Sequence, residues 1–241
     1  MTSFLLIALI AAQAPAKVSL VWKPSLLDTA KVERSFEFFD AEGVKVYARQ
    51  ISGAAKTSQK DSKGRFVTLT DWVLQKEFVE GEDLAVAGSV KWQVKETRAA
   101  SGFLEFRESP ADDVGLDAFY SACLTPIFPP KPISVGDKWE REYVTFDLAD
   151  LPKTKVVATL VRLEPKEKPT MAIVTGSLTE LLEESMALKA TFEWSIDLKD
   201  GHLVKASATV PKGFIPGDEE SETVRAELKH TCTQWKPAKK S

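Results

Sequence analysis

The chain has two histidines and two cysteines, which limit the metal and nucleophile chemistry open to it. His202 follows the turn-forming pair Asp200-Gly201 and is expected to face solvent. His230 alternates with apolar residues and is expected to be partly buried on a strand. No two histidines lie at metal-ligand spacing, and the sequence has no C-x-x-C motif. We therefore predict neither a metal site nor a cofactor.

The cysteines, Cys123 and Cys232, allow two interpretations. In an oxidising compartment they could form a disulfide, and closing a loop of about 100 residues would stabilise the fold by roughly 4–5 kcal/mol. Two cysteines in a chain of this size are more often small buried apolar side chains. A Cys123 nucleophile with His230 as its base would require an accessible, electropositive thiol, and the sequence gives no sign of one.

Adjacent carboxylates are the remaining catalytic candidates. They occur at Asp112-Asp113, Glu183-Glu184 and Glu219-Glu220. A glycosidase needs two carboxylates about 5–10 Å apart across a cleft, whereas neighbours in turns point in different directions. The sequence also has no G-x-S-x-G, no S-x-x-K and no glycine-rich loop opening a helix. We therefore predict a non-enzymatic protein, with a carboxylate hydrolase left as an alternative.

The charges are nearly balanced, since 32 basic and 35 acidic residues give a net charge of -3. A nucleic-acid-binding protein normally carries a basic surface, so we expect no nucleic-acid partner. Aromatic residues are the other means of holding a ligand. The tryptophans are Trp22, Trp72, Trp92, Trp139, Trp194 and Trp235. Of these, Trp92, Trp139 and Trp194 alternate in phase with apolar neighbours, which predicts that they pack in the core.

The N-terminus predicts export. Residues 4–12 are continuously apolar, which is too short for a membrane span of about 20 residues but typical of a signal peptide. Small residues follow, and cleavage after Ala16 would leave Lys17 as the new N-terminus; a site after Ala14 competes, and a buried first strand or helix is the alternative. We predict a signal peptide at 1–16, no later transmembrane segment, and a periplasmic or extracellular protein.

Strict alternation of apolar and polar residues dominates the rest of the chain and predicts antiparallel strands. The clearest strand spans 186–198, and Asp200-Gly201 predicts a hairpin to a return strand. The predicted strands are 32–39, 44–51, 66–79, 84–97, 139–148, 156–163, 172–178, 186–198, 203–210 and 224–235. A single short helix is expected near 113–125, ended by Pro126.

A proline-rich stretch divides the chain into two similar halves. The first β half is 17–125 with its helix at the end, the connector is 126–135, and the second β half is 136–241. Segment 31–36 aligns with 138–143, and 90–95 with 192–197, which suggests an internal duplication. The expected fold is mainly β, with antiparallel meanders forming a curved sheet or half-barrel.

The connector and the strand after it carry a recognisable motif. Pro130-Lys131-Pro132-Ile133-Ser134-Val135-Gly136-Asp137-Lys138-Trp139 resembles the phrase P-x-K-P-[VI]-x-V-G-D-x-W of a loosely defined group of exported bacterial β-rich proteins of unknown function. Segment 194–203 is similar to a late strand of that group. The resemblance implies an exported β protein and brings no catalytic residues.

Two functions are compatible with these observations. The first is a structural or interaction module of the bacterial cell envelope, whose partner would be another envelope protein. The alternative is a periplasmic carrier that binds a lipid or other apolar ligand on the concave face of its sheet. A filled interior would favour the interaction module, and a lined cavity would favour the carrier.

Overall fold

A computed structural model describes residues 17–24, 29–84, 90–108, 118–144, 153–181, 188–215 and 224–236. The predicted signal peptide at 1–16 lies outside the described residues, as do the three carboxylate pairs. No described helix has the length and apolarity needed to cross a membrane.

The described chain forms twelve strands and one helix. They are β1 (Thr29–Phe39), β2 (Lys45–Lys60), β3 (Phe66–Val79), β4 (Glu82–Leu84), β5 (Lys91–Arg98), β6 (Leu104–Glu108), α1 (Ala118–Cys123), β7 (Lys138–Val144), β8 (Lys153–Glu164), β9 (Met171–Leu181), β10 (Lys189–Asp197), β11 (Leu203–Gly213) and β12 (Val224–Lys236). The predicted mainly antiparallel β class is confirmed.

All the strands join one antiparallel sheet in the order β6-β5-β3-β2-β1-β12-β11-β10-β9-β8-β7, with β4 paired to β3. The first strand, β1, lies in the middle of the sheet, and the chain meanders outward from it to β6. It then crosses through α1 and the connector to the opposite edge at β7, and meanders back to β12. Because β12 pairs with β1, the two halves share a continuous hydrogen-bonded sheet.

Several elements differ from the sequence prediction. Strand β2 runs to Lys60, nine residues past its predicted end at 51. Of the predicted strand 84–97, Leu84 ends β4 and residues 91–97 lie in β5, and residues 85–89 lie outside the described part. The short strand β6 was not predicted, since its five residues give too brief an alternation. Helix α1 ends at Cys123, two residues early, because Leu124 and Thr125 close tight turns onto Ser121 and Ala122.

Helix α1 and the connector cover one face of the sheet. Phe119 and Tyr120 are fully buried, and Ile127 and Phe128 are 1% exposed, so the first part of the proline-rich segment belongs to the hydrophobic core. The Trp194 indole Nε1 donates a hydrogen bond to the Cys123 carbonyl at 2.9 Å. In the same way Trp139 donates to the Ile127 carbonyl at 3.0 Å, and both rings are buried, as the sequence predicted.

The sheet curves far enough to bring its two edges into side-chain contact. Phe103, just before the edge strand β6, packs against Tyr143 of the other edge strand, β7, with ring centroids 5.5 Å apart. The Arg141 guanidinium, also on β7, lies 5.8 Å from the centroid of the Phe103 ring. These contacts agree with the predicted curved, half-barrel sheet.

Candidate functional site

A cavity of about 80 Å³ lies between the sheet and the connector, and strands of both halves line it. Its lining combines apolar and aromatic walls with buried charges. The lining residues are Trp22, Val32, Arg34, Ala55, Thr68, Thr70, Trp72, Glu96, Arg98, Gly102, Leu124, Pro126, Phe128, Gly201, His202, Leu203, His230 and Cys232. This space can hold several water molecules or a small ligand.

Strand alternation places the polar residues of the cavity. Arg34 lies two residues after Val32 on β1, and His230 lies two residues after Leu228 on β12, so both occupy the face that is otherwise apolar. These two strands pair with Arg34 directly opposite His230. The Arg34 Nε donates to the His230 Nδ1 at 3.3 Å. Long-range strand pairing thus joins two residues that are 196 positions apart.

Glu96 of β5 is an ionised carboxylate held among arginines. The Arg98 guanidinium donates a hydrogen bond to the Glu96 Oε2 at 2.7 Å. The Glu96 side chain is 16% exposed and that of Arg98 is 11% exposed. Burial alone would raise the pKa of Glu96. The positive charges of Arg98, Arg107 and Arg34 outweigh burial and lower the pKa to about 2.

His230 is a neutral imidazole in this site. Burial, together with the positive charges of Arg34 and Arg98, lowers the pKa of His230 to about 3, against a smaller opposing effect of its hydrogen bond to the Leu203 backbone. Its Nδ1 accepts from Arg34, so the proton of the neutral ring lies on Nε2. The ring therefore adds a hydrogen-bonding group to the cavity without adding charge.

Two tryptophans form aromatic walls beside the arginines. The Arg34 guanidinium lies 5.1 Å from the centroid of the Trp72 ring, and that of Arg98 lies 6.0 Å from the Trp22 ring. The Trp72 ring lies against Gly53 of β2, where a Cβ atom would come within 2.8 Å of the ring. A larger residue at position 53 would therefore displace the Trp72 ring.

The strap, residues 17–24, closes one side of the cavity by bridging two hairpin turns. The Trp22 amide donates to the Ala100 carbonyl at 2.8 Å, and the Lys23 amide donates to the Asp200 carbonyl at 2.7 Å. Ala100 lies in the turn between β5 and β6, and Asp200 lies in the turn between β10 and β11. The strap therefore ties the two halves together beside the site.

We expect Gly201→Ala to loosen the strap. Gly201 has a φ of +75°, and a Cβ there would overlap the Val21 carbonyl oxygen. Gly43 is the matched control because its φ is +83° and a Cβ there meets nothing within 4 Å. Each substitution adds backbone strain of about 1 kcal/mol, and Gly201→Ala should cost measurably more in urea unfolding. Equal losses in the two variants would contradict the strap contact.

The sequence-predicted residues fall in different places. His230 is 5% exposed, as predicted. His202 was expected to face solvent, and this is wrong: its side chain is 12% exposed and contacts Asp200, because the turn folds under the strap.

Both cysteines are buried. Cys232 lines the cavity on the same strand face as His230, and burial, followed by the charge of Asp200, raises the pKa of its thiol to about 11. A thiol with that pKa is a poor nucleophile at neutral pH. The disulfide between Cys123 and Cys232 stays a prediction.

Asp197, Asp200 and His202 bring three ligand-type atoms within 4.8 Å of one another in the β10–β11 turn. The Asp197 carboxylate accepts from the Lys199 amide, and that of Asp200 accepts from the His202 amide and contacts its ring. Burial raises the pKa of Asp200, and the hydrogen bonds from His202 outweigh it, so the pKa is lowered. These hydrogen bonds within the turn explain why the three side chains lie close together.

The sequence reasoning missed Arg34, Glu96 and Arg98. Each lies in phase with buried apolar residues: Arg34 with Val32, and Glu96 and Arg98 with Val94. A charge on the dry face of a strand costs free energy unless it is paired. Charged residues at apolar positions were therefore the available signal for this site.

We expect the buried imidazole to make stability fall on acidification. The folded protein keeps His230 neutral down to about pH 3, whereas the unfolded chain takes up a proton near its ordinary pKa of 6.5. The unfolded state is therefore favoured progressively from about pH 6.5 to about pH 3, by up to about 1.4 kcal/mol per pH unit. His230→Asn keeps an acceptor for Arg34 and removes the titration. Urea unfolding of both proteins should show a shallower pH slope for the variant, and parallel slopes would contradict the burial of a neutral ring.

Comparison of the chain with protein-family models gave no match, and comparison with curated proteins gave none either.

Proposed function

We propose that this protein binds a small molecule in the cavity between the sheet and the connector. The observation that carries the proposal is the set of largely buried charges, Arg34, Glu96 and Arg98, that line a space with apolar walls. Ligand sites typically combine such walls with a few placed polar groups. An all-apolar core would fold without the desolvation cost of buried ions, so their presence favours a binding role.

The position of the cavity limits the size of ligand that the carrier hypothesis allows. Helix α1 and the connector already occupy the face of the sheet along the second half, where Phe119, Tyr120 and Leu124 are buried. A ligand spread over the whole concave face would have to displace them. The proposed ligand is therefore small and partly polar. The filled interior is also the observation that favours the second candidate, an interaction module of the cell envelope.

Export and internal duplication belong to the same proposal. Export rests on the apolar run at 4–12. Duplication is supported by the position of the matched segments: 31–36 and 138–143 lie on the first strands of the two meanders, and 90–95 and 192–197 include most of β5 and β10. Each of those two strands leads into a turn that accepts a hydrogen bond from the strap.

Filling the cavity should weaken ligand binding. Ala55 of β2 lines the cavity and is 6% exposed, so Ala55→Leu places a larger side chain in that space. The neighbouring Ala54 is exposed on the other face, and Ala54→Leu is the matched control. The probes are acetate, ethanol and ethylamine, which are small enough for a cavity of about 80 Å³. Their binding is measured by ligand-observed NMR and calorimetry.

We expect at least one of these probes to bind the wild type and Ala54→Leu, with affinity reduced at least about tenfold in Ala55→Leu. If none of the three binds the wild type, or if Ala55→Leu binds as well as the control, the cavity is not a ligand site.

A further inference from the structure

We infer that the cavity selects a small uncharged molecule, with an apolar body against Trp72 and one polar group that hydrogen-bonds to the Thr70 hydroxyl. This inference rests on the proposed function and specifies its ligand class. Its basis is that the charged groups of the lining already have partners within the protein, whereas a neutral hydroxyl of the lining does not.

The charged side chains of the lining already stabilise one another. Arg98 donates a hydrogen bond to Glu96 at 2.7 Å, and the positive charges of Arg34 and Arg107 also act on this carboxylate. The Arg34 Nε is engaged as well, since it donates to the His230 Nδ1 at 3.3 Å. A charged ligand would lose its hydration and would have to compete with these internal contacts. An uncharged ligand avoids both costs.

The two imidazoles of the lining also have partners within the protein. His230 is neutral, and besides accepting from Arg34 it makes a hydrogen bond with the Leu203 backbone. The His202 ring contacts the Asp200 carboxylate, which also accepts from the His202 amide. These contacts engage the Asp200 carboxylate within its own turn, so it is poorly placed to attract a cationic ligand.

Two neutral polar side chains of the lining, Thr70 and Cys232, make no hydrogen bond in the described part of the chain. Each residue is 7% exposed. The thiol of Cys232, with a pKa raised to about 11 by burial, is uncharged at pH 7 and bonds only weakly. A hydroxyl offers one donor and two acceptor positions. Thr70 is therefore the stronger hydrogen-bonding group that the cavity presents to a ligand.

The register of the strands places the Thr70 hydroxyl beside an aromatic wall and a small side chain. Thr70 lies two residues before Trp72 on β3, so both side chains belong to the same face of the sheet. Ala55 of β2 lies directly opposite Thr70. A ligand that contacts the Trp72 ring and bonds to Thr70 would therefore lie over Ala55, where the short methyl group leaves space.

The remaining walls favour an apolar body on the ligand. They come from β1, from the connector and from the start of β11. Their residues are Val32, Leu124, Pro126, Phe128 and Leu203. Ligand sites with such walls and a few polar groups bind molecules that are mostly apolar. The cavity volume of about 80 Å³ limits that ligand to a few heavy atoms.

The test compares two pairs of probes of similar shape and different charge at pH 7. Acetamide is paired with acetate, which is an anion, and ethanol is paired with ethylamine, which is a cation. Binding is measured by ligand-observed NMR and calorimetry on the wild type, Ala55→Leu and Thr70→Val. Thr191→Val is the matched control, because Thr191 is exposed on β10. Circular dichroism spectra establish which variants fold, and the comparison of charges needs the wild type alone.

We expect acetamide and ethanol each to bind at least about tenfold more tightly than the charged probe of the same pair. Their affinity should fall about threefold to tenfold in Thr70→Val, which loses one neutral hydrogen bond, and stay unchanged in Thr191→Val.

Three outcomes would contradict the inference in different ways. Acetate or ethylamine binding as tightly as its uncharged counterpart, and weakened in Ala55→Leu, would overturn the uncharged class and leave the cavity as a ligand site. Equal affinities in Thr70→Val and Thr191→Val would overturn the contact with the Thr70 hydroxyl. Binding of none of the four probes would overturn the proposed function itself.

Discussion

Replacing Trp194 with alanine should destabilise the protein by about 3–5 kcal/mol, as expected for a large aromatic side chain removed from a packed core. Trp194 is fully buried on β10 and stacks on Phe192 with ring centroids 3.8 Å apart. Its indole Nε1 donates to the Cys123 carbonyl at the end of α1. The substitution therefore opens a cavity and also leaves a buried carbonyl without its donor. This loss is a large fraction of the typical stability of a folded domain.

Two further variants separate the causes of that loss. Trp194→Phe retains an aromatic ring and removes the hydrogen bond to Cys123, so it should cost about 1–3 kcal/mol. Trp92→Ala removes a ring that is only half-buried on β5 and should cost less than Trp194→Ala. The measurement is urea unfolding followed by circular dichroism. A Trp194→Ala protein as stable as Trp92→Ala would contradict the role of the indole in joining helix and sheet.

The strands were predictable because alternation has a simple physical cause. Side chains on successive strand residues point to opposite faces of the sheet. When one face is covered, apolar and polar residues therefore alternate along the sequence of each strand. The strand β3 matches its predicted range, Phe66–Val79, at both ends. The end of β2 was not predicted: the strand continues to Lys60, through Gly53, Ala54 and Ala55, where small residues weaken the contrast between the two faces.

The pairing of β1 with β12 and the site that it creates could not be predicted from local pattern. Arg34 and His230 come together only because the second meander returns to the middle of the sheet. The sequence carried a partial signal, since both residues occupy apolar positions of their strands. That signal marks a polar residue as buried, but only the register of distant strands identifies its partner.

The carboxylate of Glu96 supplies the second large expected effect. Glu96→Gln keeps the shape of the side chain and removes the charge that faces Arg34, Arg98 and Arg107. Removing one member of a buried ionic group typically costs about 3–5 kcal/mol, because the remaining charges lose their compensation. We expect a loss of this size at pH 7. Glu227→Gln, which breaks an exposed pair with Arg225, should cost less than about 1 kcal/mol.

The difference between wild type and Glu96→Gln should also depend on pH in a defined window. The folded protein keeps Glu96 ionised down to about pH 2, whereas the unfolded chain protonates it near pH 4.5. The carboxylate therefore contributes its full stabilisation above about pH 4.5, and acidification to about pH 2 removes roughly 3 kcal/mol of it. Urea unfolding across this range should bring the two proteins toward equal stability. A difference that stays constant down to pH 2 would mean that the arginines do not hold the carboxylate in its charged form.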